Sequence, residues 1–363
     1  MAIKYLYIDD EKDTLVDGIK DNLSLQPDRL VVDFERALGW DKQIDFIINS
    51  ISNYDGILLD LKLDFPVNND NQLKYYGADL AQAIKTLVKT GVKITKDIPI
   101  MLCSTDSRLK EAFDGTSSDL FDRKYNKETD FDNLHVIDEF ISFADAYDAI
   151  RQGLSIEDLL KCSEIDLLEV KLHTELLKTP HEKASFIFNN VVQCTGLLID
   201  ENILAIRLGI DKNASEDWVI LRDSILDSIK YNGIYSNAFP RWWSSLLLNW
   251  WKNNVVNKNI QGLGASERVI FLKQAFKLEK LIALELPINH IYDTFWYKCH
   301  LSNTPLETAD GLKTIEAPRY NWQEPSYISM GYITSEERDR KKVKSLLGTF
   351  EAKKFDEILK KQK

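Results

Sequence analysis

Two apolar runs in the first sixty residues each stop on an aspartate, and no other feature limits the possible folds as strongly. Ile3-Lys-Tyr-Leu-Tyr-Ile8 runs into Asp9 and Asp10, and Gly56-Ile-Leu-Leu59 runs into Asp60. Short, nearly continuous apolar runs of this kind suit strands covered on both faces, and an acid marks where the strand leaves the core. Further strands are predicted at Leu30-Val-Val-Asp-Phe34, Ile98-Pro-Ile-Met-Leu-Cys103 and Asp119-Leu-Phe-Asp-Arg-Lys124. Helical stretches separate them over 12–24, 41–52 and 77–89, the second with Ile44, Phe46, Ile47, Ile48 and Ile51 on its apolar side. Strands alternating with helices imply an α/β fold, a doubly wound parallel sheet of five strands. Ligands of such sheets bind beyond the carboxyl ends of the strands. Here those ends carry Asp9, Asp10, Asp60, Ser104 and Lys124.

Past this domain, placed over 1–132, the pattern becomes mostly helical. Val136, Phe140, Phe143, Tyr147 and Ile150 give one apolar seam, which predicts a connecting helix within 133–155. Helices are then expected over 156–177, 183–195, 200–208, 215–230, 240–256, 266–284 and 289–299, within an α-helical domain spanning 156–334. Residues 301–330 carry Pro305, Gly311, Pro318 and Pro325 and are expected to be irregular. A charged C-terminal helix is expected over 335–363, with ten basic and six acidic residues and a solvated surface.

Charge is unevenly placed. Residues 1–150 hold 17 Lys and Arg against 29 Asp and Glu, whereas the whole chain is −11, so the acidity belongs to the α/β part. An acidic domain favours metals or basic partners over nucleic acid. No apolar run approaches the roughly 20 residues of a membrane span, and the opening residues read as a strand and not as a signal peptide. The four cysteines show no paired spacing, which suits free thiols in a reducing cytoplasm.

Carboxylates gathered at adjacent strand ends need a reason. At ~4 Å and an effective dielectric near 20, each pair repels by about 4 kcal/mol. A hard divalent cation such as Mg2+, held by carboxylates, water and phosphate oxygens, removes that cost. A lysine and a hydroxyl nearby, Lys124 and Ser104, complete a place where a phosphoryl group could sit on Asp60.

These segments resemble response-regulator receiver domains. Ile8-Asp9-Asp10-Glu11 is similar to their acidic opening, and Tyr54-Asp-Gly-Ile-Leu-Leu-Asp60 to their phosphoacceptor strand. Pro99-Ile-Met-Leu-Cys-Ser104 is similar to the strand that ends in a switch hydroxyl, and Phe121-Asp-Arg-Lys124 to the strand with the lysine and an aromatic three residues before it. The resemblance covers about a third of the chain. It implies a flavodoxin-like fold with Asp9 and Asp10 as Mg2+ ligands, joined by Asp60 and the backbone carbonyl of Lys62. It implies Asp60 as phosphoacceptor, Ser104 and Lys124 as phosphate contacts, and Phe121 as the switch aromatic. The family places proline after its lysine, where this chain has Tyr125, and Lys127 is a rival for the lysine role. Thr105 stands where the family keeps a small residue. Extra residues lie between Asp60 and Gly77 and around Thr90-Gly-Val-Lys-Ile-Thr95.

The expected function is that of a cytoplasmic two-component response regulator, phosphorylated on Asp60 by a histidine kinase or a histidine phosphotransfer protein. Beyond receiver phosphotransfer and autodephosphorylation no enzymatic activity is assigned. Output is expected through a downstream protein bound by the helical domain, or through a phosphate reservoir. A receiver followed by an unrelated helical domain is similar to what occurs in phosphorelay-type phage-defence systems. The alternatives are a DNA-binding transcription regulator and a receiver-gated enzymatic effector; a second copy of the chain, in a homodimer, is a further expected partner.

Several C-terminal features bear on those alternatives. Leu198-Ile-Asp-Glu-Asn-Ile-Leu-Ala-Ile-Arg-Leu-Gly-Ile210 is similar to the first half of a helix-turn-helix, with 215–228 as the recognition helix. Glu216 and Asp217 would then face phosphates, so packing is the preferred reading. Trp242, Trp243, Trp250 and Trp251 read first as core and second as a partner surface. Cys299-His300 alone does not make a metal site, and Gly262-Leu-Gly264 reads as a turn. Arg319-Tyr-Asn-Trp-Gln323 has no assigned role.

Overall fold

The computed structural model describes residues 2–10, 14–63, 66–67, 71–72, 75–91, 93–105, 118–162, 165–335 and 339–361. The chain divides into two compact units. The first is Met1–Phe188 with Asn232–Phe239, and the second is Asn189–Tyr231 with Pro240–Lys363.

Five parallel strands build the first unit: β1 (Ile3–Asp9), β2 (Leu30–Arg36), β3 (Gly56–Asp60), β4 (Ile100–Ser104) and β5 (Arg123–Asn126). Their order in the sheet is β2-β1-β3-β4-β5, the flavodoxin-like doubly wound order. The helices α1 (Thr14–Leu23), α2 (Trp40–Ser50), α3 (Gly77–Thr90) and α4 (His135–Arg151) follow β1, β2, β3 and β5.

Period-two alternation sends side chains to opposite faces. Leu6, Ile8, Ile57, Leu59, Ile100 and Leu102 go to one face, where they join Ile47 of α2 and Leu80, Ala81 and Ile84 of α3. Tyr5 and Tyr7 of β1 and Tyr125 of β5 go to the other. There the rings of Tyr5 and Tyr125 lie 4.7 and 5.5 Å from Phe140 of α4, and the Tyr5 hydroxyl donates to the Phe140 carbonyl at 2.8 Å. Each large side chain buried this way contributes about 1.5–3 kcal/mol. The predicted seam of α4 is therefore the seam that closes the sheet.

Three helices follow, α5 (Ile156–Leu160), α6 (Leu168–Glu175) and α7 (Pro180–Ile187). The single helix expected over 156–177 is interrupted where Lys161 takes a left-handed conformation, φ 53°. Thr179 starts α7: its hydroxyl accepts from the Glu182 N–H at 3.1 Å, and Pro180 occupies the first turn. The His181 N–H donates to Asp97 at 2.9 Å, and Tyr147 donates to Asp122 at 2.8 Å, which ties α7 and α4 to the amino-terminal ends of β4 and β5. The segment Asn232–Phe239 belongs here because the Tyr235 ring packs edge-on to Phe143 at 4.9 Å and tilted against Phe188 at 5.0 Å.

The second unit is helical with short two-stranded ladders. α8 (Glu201–Leu208), α9 (Ser244–Asn254) and α10 (Ala265–Phe276) surround a core that contains Leu204, Leu208, Trp242, Trp250, Trp251 and Leu272. Trp243 is buried as well. The helix expected over 215–230 is shorter and irregular: Trp218–Ile220 is α-helical and continues into a π-helical turn at Leu221–Ile225, and Asp227–Ile229 is a separate 3-10 turn. The helix expected over 289–299 is absent, and Tyr297–Lys298 pairs instead with Pro305–Leu306. Two helices, α11 (Arg340–Ser345) and α12 (Thr349–Lys361), replace the single solvated C-terminal helix. Val343, Leu347 and Phe355 recur four and eight residues apart, and all three enter a small core with Cys299, Leu306, Leu312 and Ile328. Among the described residues, no helix is long and apolar enough to cross a membrane.

Candidate functional site

The site forms because three strands end at the same edge. Ile8 pairs with Leu59, so the register carried one step further sets Asp9 beside Asp60. Neighbouring strands are about 4.8 Å apart. Carboxylate oxygens of Asp9, Asp10 and Asp60 all lie within 4.8 Å of one another, and the three residues are 0%, 4% and 1% exposed. Across β4, Cys103 pairs with both Asp60 and Tyr125. Lys127, two residues after Tyr125, therefore emerges on the face shared by Asp9 and Asp60.

Lys127 closes the cluster. Its ammonium lies 2.7 Å from Asp9 Oδ2 and 2.6 Å from Asp60 Oδ1. Asp9 Oδ2 also accepts from the Tyr7 hydroxyl at 2.6 Å, and Asp60 Oδ2 accepts from the Lys62 N–H at 2.8 Å. The Lys127 N–H donates to the Ser104 carbonyl at 2.9 Å, which ties the residue after β5 to the end of β4. Gly77 opens α3 against this edge. A Cβ there would stand 2.2 Å from the Asp60 carbonyl oxygen, so only glycine allows the backbones to approach.

The electrostatics are asymmetric. Burial alone would lower the Lys127 pKa, but the Cys103 thiol, Asp60 and Asp9 outweigh it and hold the pKa above the ordinary lysine value. The Asp60 carboxyl is pushed above its ordinary value, by burial first and by Asp9, against the opposing pull of Lys127 and the Lys62 N–H. One ammonium compensates one carboxylate, and two are left in excess. The four side chains Asp9, Asp10, Asp60 and Lys127 sum to two negative charges, the charge that a divalent cation balances. The Ser104 hydroxyl is buried and has no hydrogen-bond partner among the described residues. An orphaned buried hydroxyl beside an acid cluster is a donor held ready for a ligand oxygen.

Lys124 is not part of this cluster. It pairs in register with Leu102, which sends it to the α2/α3 face, and it is exposed. The strand lies later in the chain than its apolar residues suggest. Ser118–Leu120 is a short turn, and Phe121 packs into the α2/α3 core at the amino end of β5, five residues short of the strand's carboxyl end. Phe121 is thus remote from the carboxylates, and the resemblance moved onto Lys127 puts Lys124 where the family has its aromatic. Lys62 reaches the site through its N–H. Thr105 is described, whereas 106–117 and much of the insertion after Asp60 lie outside the described residues. Of the two lysines weighed for this role, Lys127 is the one at the carboxylates, two residues after Tyr125 in a polar stretch. β5 is an edge strand, and edges favour polar residues such as Arg123 and Lys124 over an apolar run.

No protein-family model and no curated protein matches the sequence. Over about two fifths of its length the chain is similar to two solved structures. One is an adenylate cyclase from Rhodopirellula baltica, at 16% identity and TM-score 0.30, covering 43% of this chain and 99% of that one. The other is a response regulator receiver domain protein from Clostridium thermocellum, at 17% identity and TM-score 0.28, covering 42% of this chain and 99% of that one. Both similarities are too distant to assign an activity. The cluster geometry has to supply it.

Proposed function

We propose that the first unit is a phosphoacceptor switch of the response-regulator receiver class, with Asp60 as the residue that takes the phosphoryl group. The observation that carries this reading is the meeting of three buried carboxylates and one buried ammonium at the carboxyl edge of a parallel sheet. Asp9, Asp10, Asp60 and the Lys62 carbonyl would hold Mg2+, which when bound offsets charge between the anionic donor and acceptor. An Asp60 oxygen forms the new bond to phosphorus while the bond from phosphorus to the donor's imidazole nitrogen breaks. Lys127 faces the charge gathered there, and Ser104 donates its hydrogen bond to a phosphoryl oxygen. Moving Lys127 and Ser104 toward the new anion turns a local charge into a shape change.

The donor under this reading is a histidine kinase or a histidine phosphotransfer protein. The output is protein binding by the helical part or storage of phosphate in a relay, including one used in phage defence. A gated effector that acts on a small molecule is the second reading. It is favoured by a cavity of about 480 Å³ in the second unit, lined by Cys194, Lys298, His300, Glu316 and Glu324. Against the DNA-binding alternative stand Glu216 and Asp217, which would face phosphates.

The test is incubation with a small acyl-phosphate donor and Mg2+, followed by intact mass. Wild type gains one phosphoryl group, and Asp60→Asn gains none. An equal gain in both proteins removes the assignment.

A further inference from the structure

In the second unit, a cavity of about 460 Å³ opens beside the Tyr297–Lys298 and Pro305–Leu306 ladder. Volumes of this order hold small-molecule ligands. Trp296 and Glu307 each stand one residue beyond the paired stretch, at the same end of the antiparallel pair, and both line the cavity. Tyr292 and Tyr297 contribute two more rings, while Gln261 and Thr308 add polar groups. No lysine, arginine or histidine is among the described lining residues.

Three further observations define the chemistry. Trp296 is 7% exposed and belongs to the unit's core, so its ring is fixed before any ligand arrives. The Arg207 guanidinium sits 4.5 Å from the Trp296 ring centroid, but its charge is paired with the Glu324 carboxylate at 2.7 and 2.6 Å, which leaves Glu307 as the carboxylate facing the cavity. Thr308 Oγ1 donates to Glu307 Oε1 at 2.8 Å and orients that carboxylate. Burial first, then Glu324, Tyr327 and Glu307, against Arg207, push the Tyr297 hydroxyl up to about 12. An anion here would meet Glu307 with no lining base to receive it. A cation gains both the carboxylate and the ring faces, since aromatic quadrupoles attract cations within about 6 Å.

We propose that this cavity binds an organic ammonium ion, its charged head among Trp296, Tyr292 and Tyr297 with Glu307 as counter-ion. The site is separate from the carboxylate cluster and does not depend on phosphorylation of Asp60.

The test uses the full chain and two probes, choline and its uncharged carbon isostere dimethylbutanol, titrated at matched ionic strength and followed by calorimetry and tryptophan fluorescence. Choline binds saturably, about tenfold or more tightly than the isostere. Glu307→Gln weakens choline about tenfold while leaving the isostere, the circular dichroism and the melting temperature unchanged. Tyr292→Ala, at a half-exposed ring, weakens choline severalfold without unfolding the protein. Absence of saturable choline binding, equal binding of the two probes, or full choline affinity in Glu307→Gln would each overturn the proposal.

Discussion

The ammonium of Lys127 stands 2.6 Å from Oδ1 of Asp60, with only 5% and 1% of the two side chains exposed. A buried pair is sensitive to removal of one partner, because the other is left buried and uncompensated. Here that partner is doubled, since Asp9 lies on the same ammonium at 2.7 Å.

Lys127→Met is therefore expected to destabilise the first unit by about 3–5 kcal/mol and to abolish the response to phosphoryl mimics. Lys124→Met should stay within about 0.5 kcal/mol of wild type, as exposed substitutions do. Urea unfolding of both variants with Mg2+ present checks the contrast. Equal losses would return the lysine role to an open question.

The pH dependence of Lys127 has a definite sign. Its folded pKa is raised above the ordinary lysine value of 10.5, so the ion pair's contribution is fully present below that pH. It is lost as pH rises beyond it toward the folded value. Melting temperatures of wild type and Lys127→Met should therefore differ at pH 8 and converge under strongly alkaline conditions.

Asp60 behaves in the opposite sense. Its folded pKa is raised above the ordinary 3.8, so the ionised carboxylate costs stability at all pH values above the range between the two. Without Mg2+, Asp60→Asn should melt higher than wild type at pH 7, by on the order of 2–4 °C for each kcal/mol relieved. The gain should shrink as pH falls toward 3.8. Mg2+ should raise the melting temperature of wild type more than that of Asp60→Asn.

At Gly77 the added methyl group of alanine would meet the Asp60 carbonyl oxygen at 2.2 Å. Gly77→Ala should cost about 1–3 kcal/mol through overpacking, and it should slow phosphorylation by shifting the backbone that carries Asp60. Gly91→Ala, at the far end of α3 with a left-handed φ of 64°, should also destabilise but leave the phosphorylation rate intact. That comparison separates local strain from an effect on the site.

The centre of the parallel sheet was legible because β1, β3 and β4 are apolar runs, the first two stopping on acids, and a strand buried on both faces leaves that mark. Asp9, Asp10 and Asp60 were legible for the same reason. Lys127 was harder to see. It follows a polar edge strand, where burial does not enforce an apolar pattern, and Leu120 with Phe121 supplied a misleading apolar pair that belongs to a turn and the opposite core. In the second unit α8, expected over 200–208 and observed over Glu201–Leu208, was legible because both of its caps are local. Asp200 accepts from the Ile203 N–H at 2.8 Å to start α8, and Gly209, with φ 73°, ends it. Arg207 is fully buried, and its Nη2 donates to both carboxylate oxygens of Glu324, at 2.7 and 2.6 Å. No periodicity marks a partner 117 residues away.

The most direct measurement is a thermal-shift titration of beryllofluoride with Mg2+ against wild type, Asp60→Asn, Lys127→Met and Lys124→Met. Wild type and Lys124→Met should be stabilised in a saturable, Mg2+-dependent manner, while Asp60→Asn and Lys127→Met should not respond. A wild-type protein indifferent to beryllofluoride, or an Asp60→Asn protein that responds as wild type does, would contradict the assignment of Asp60 as the phosphoacceptor.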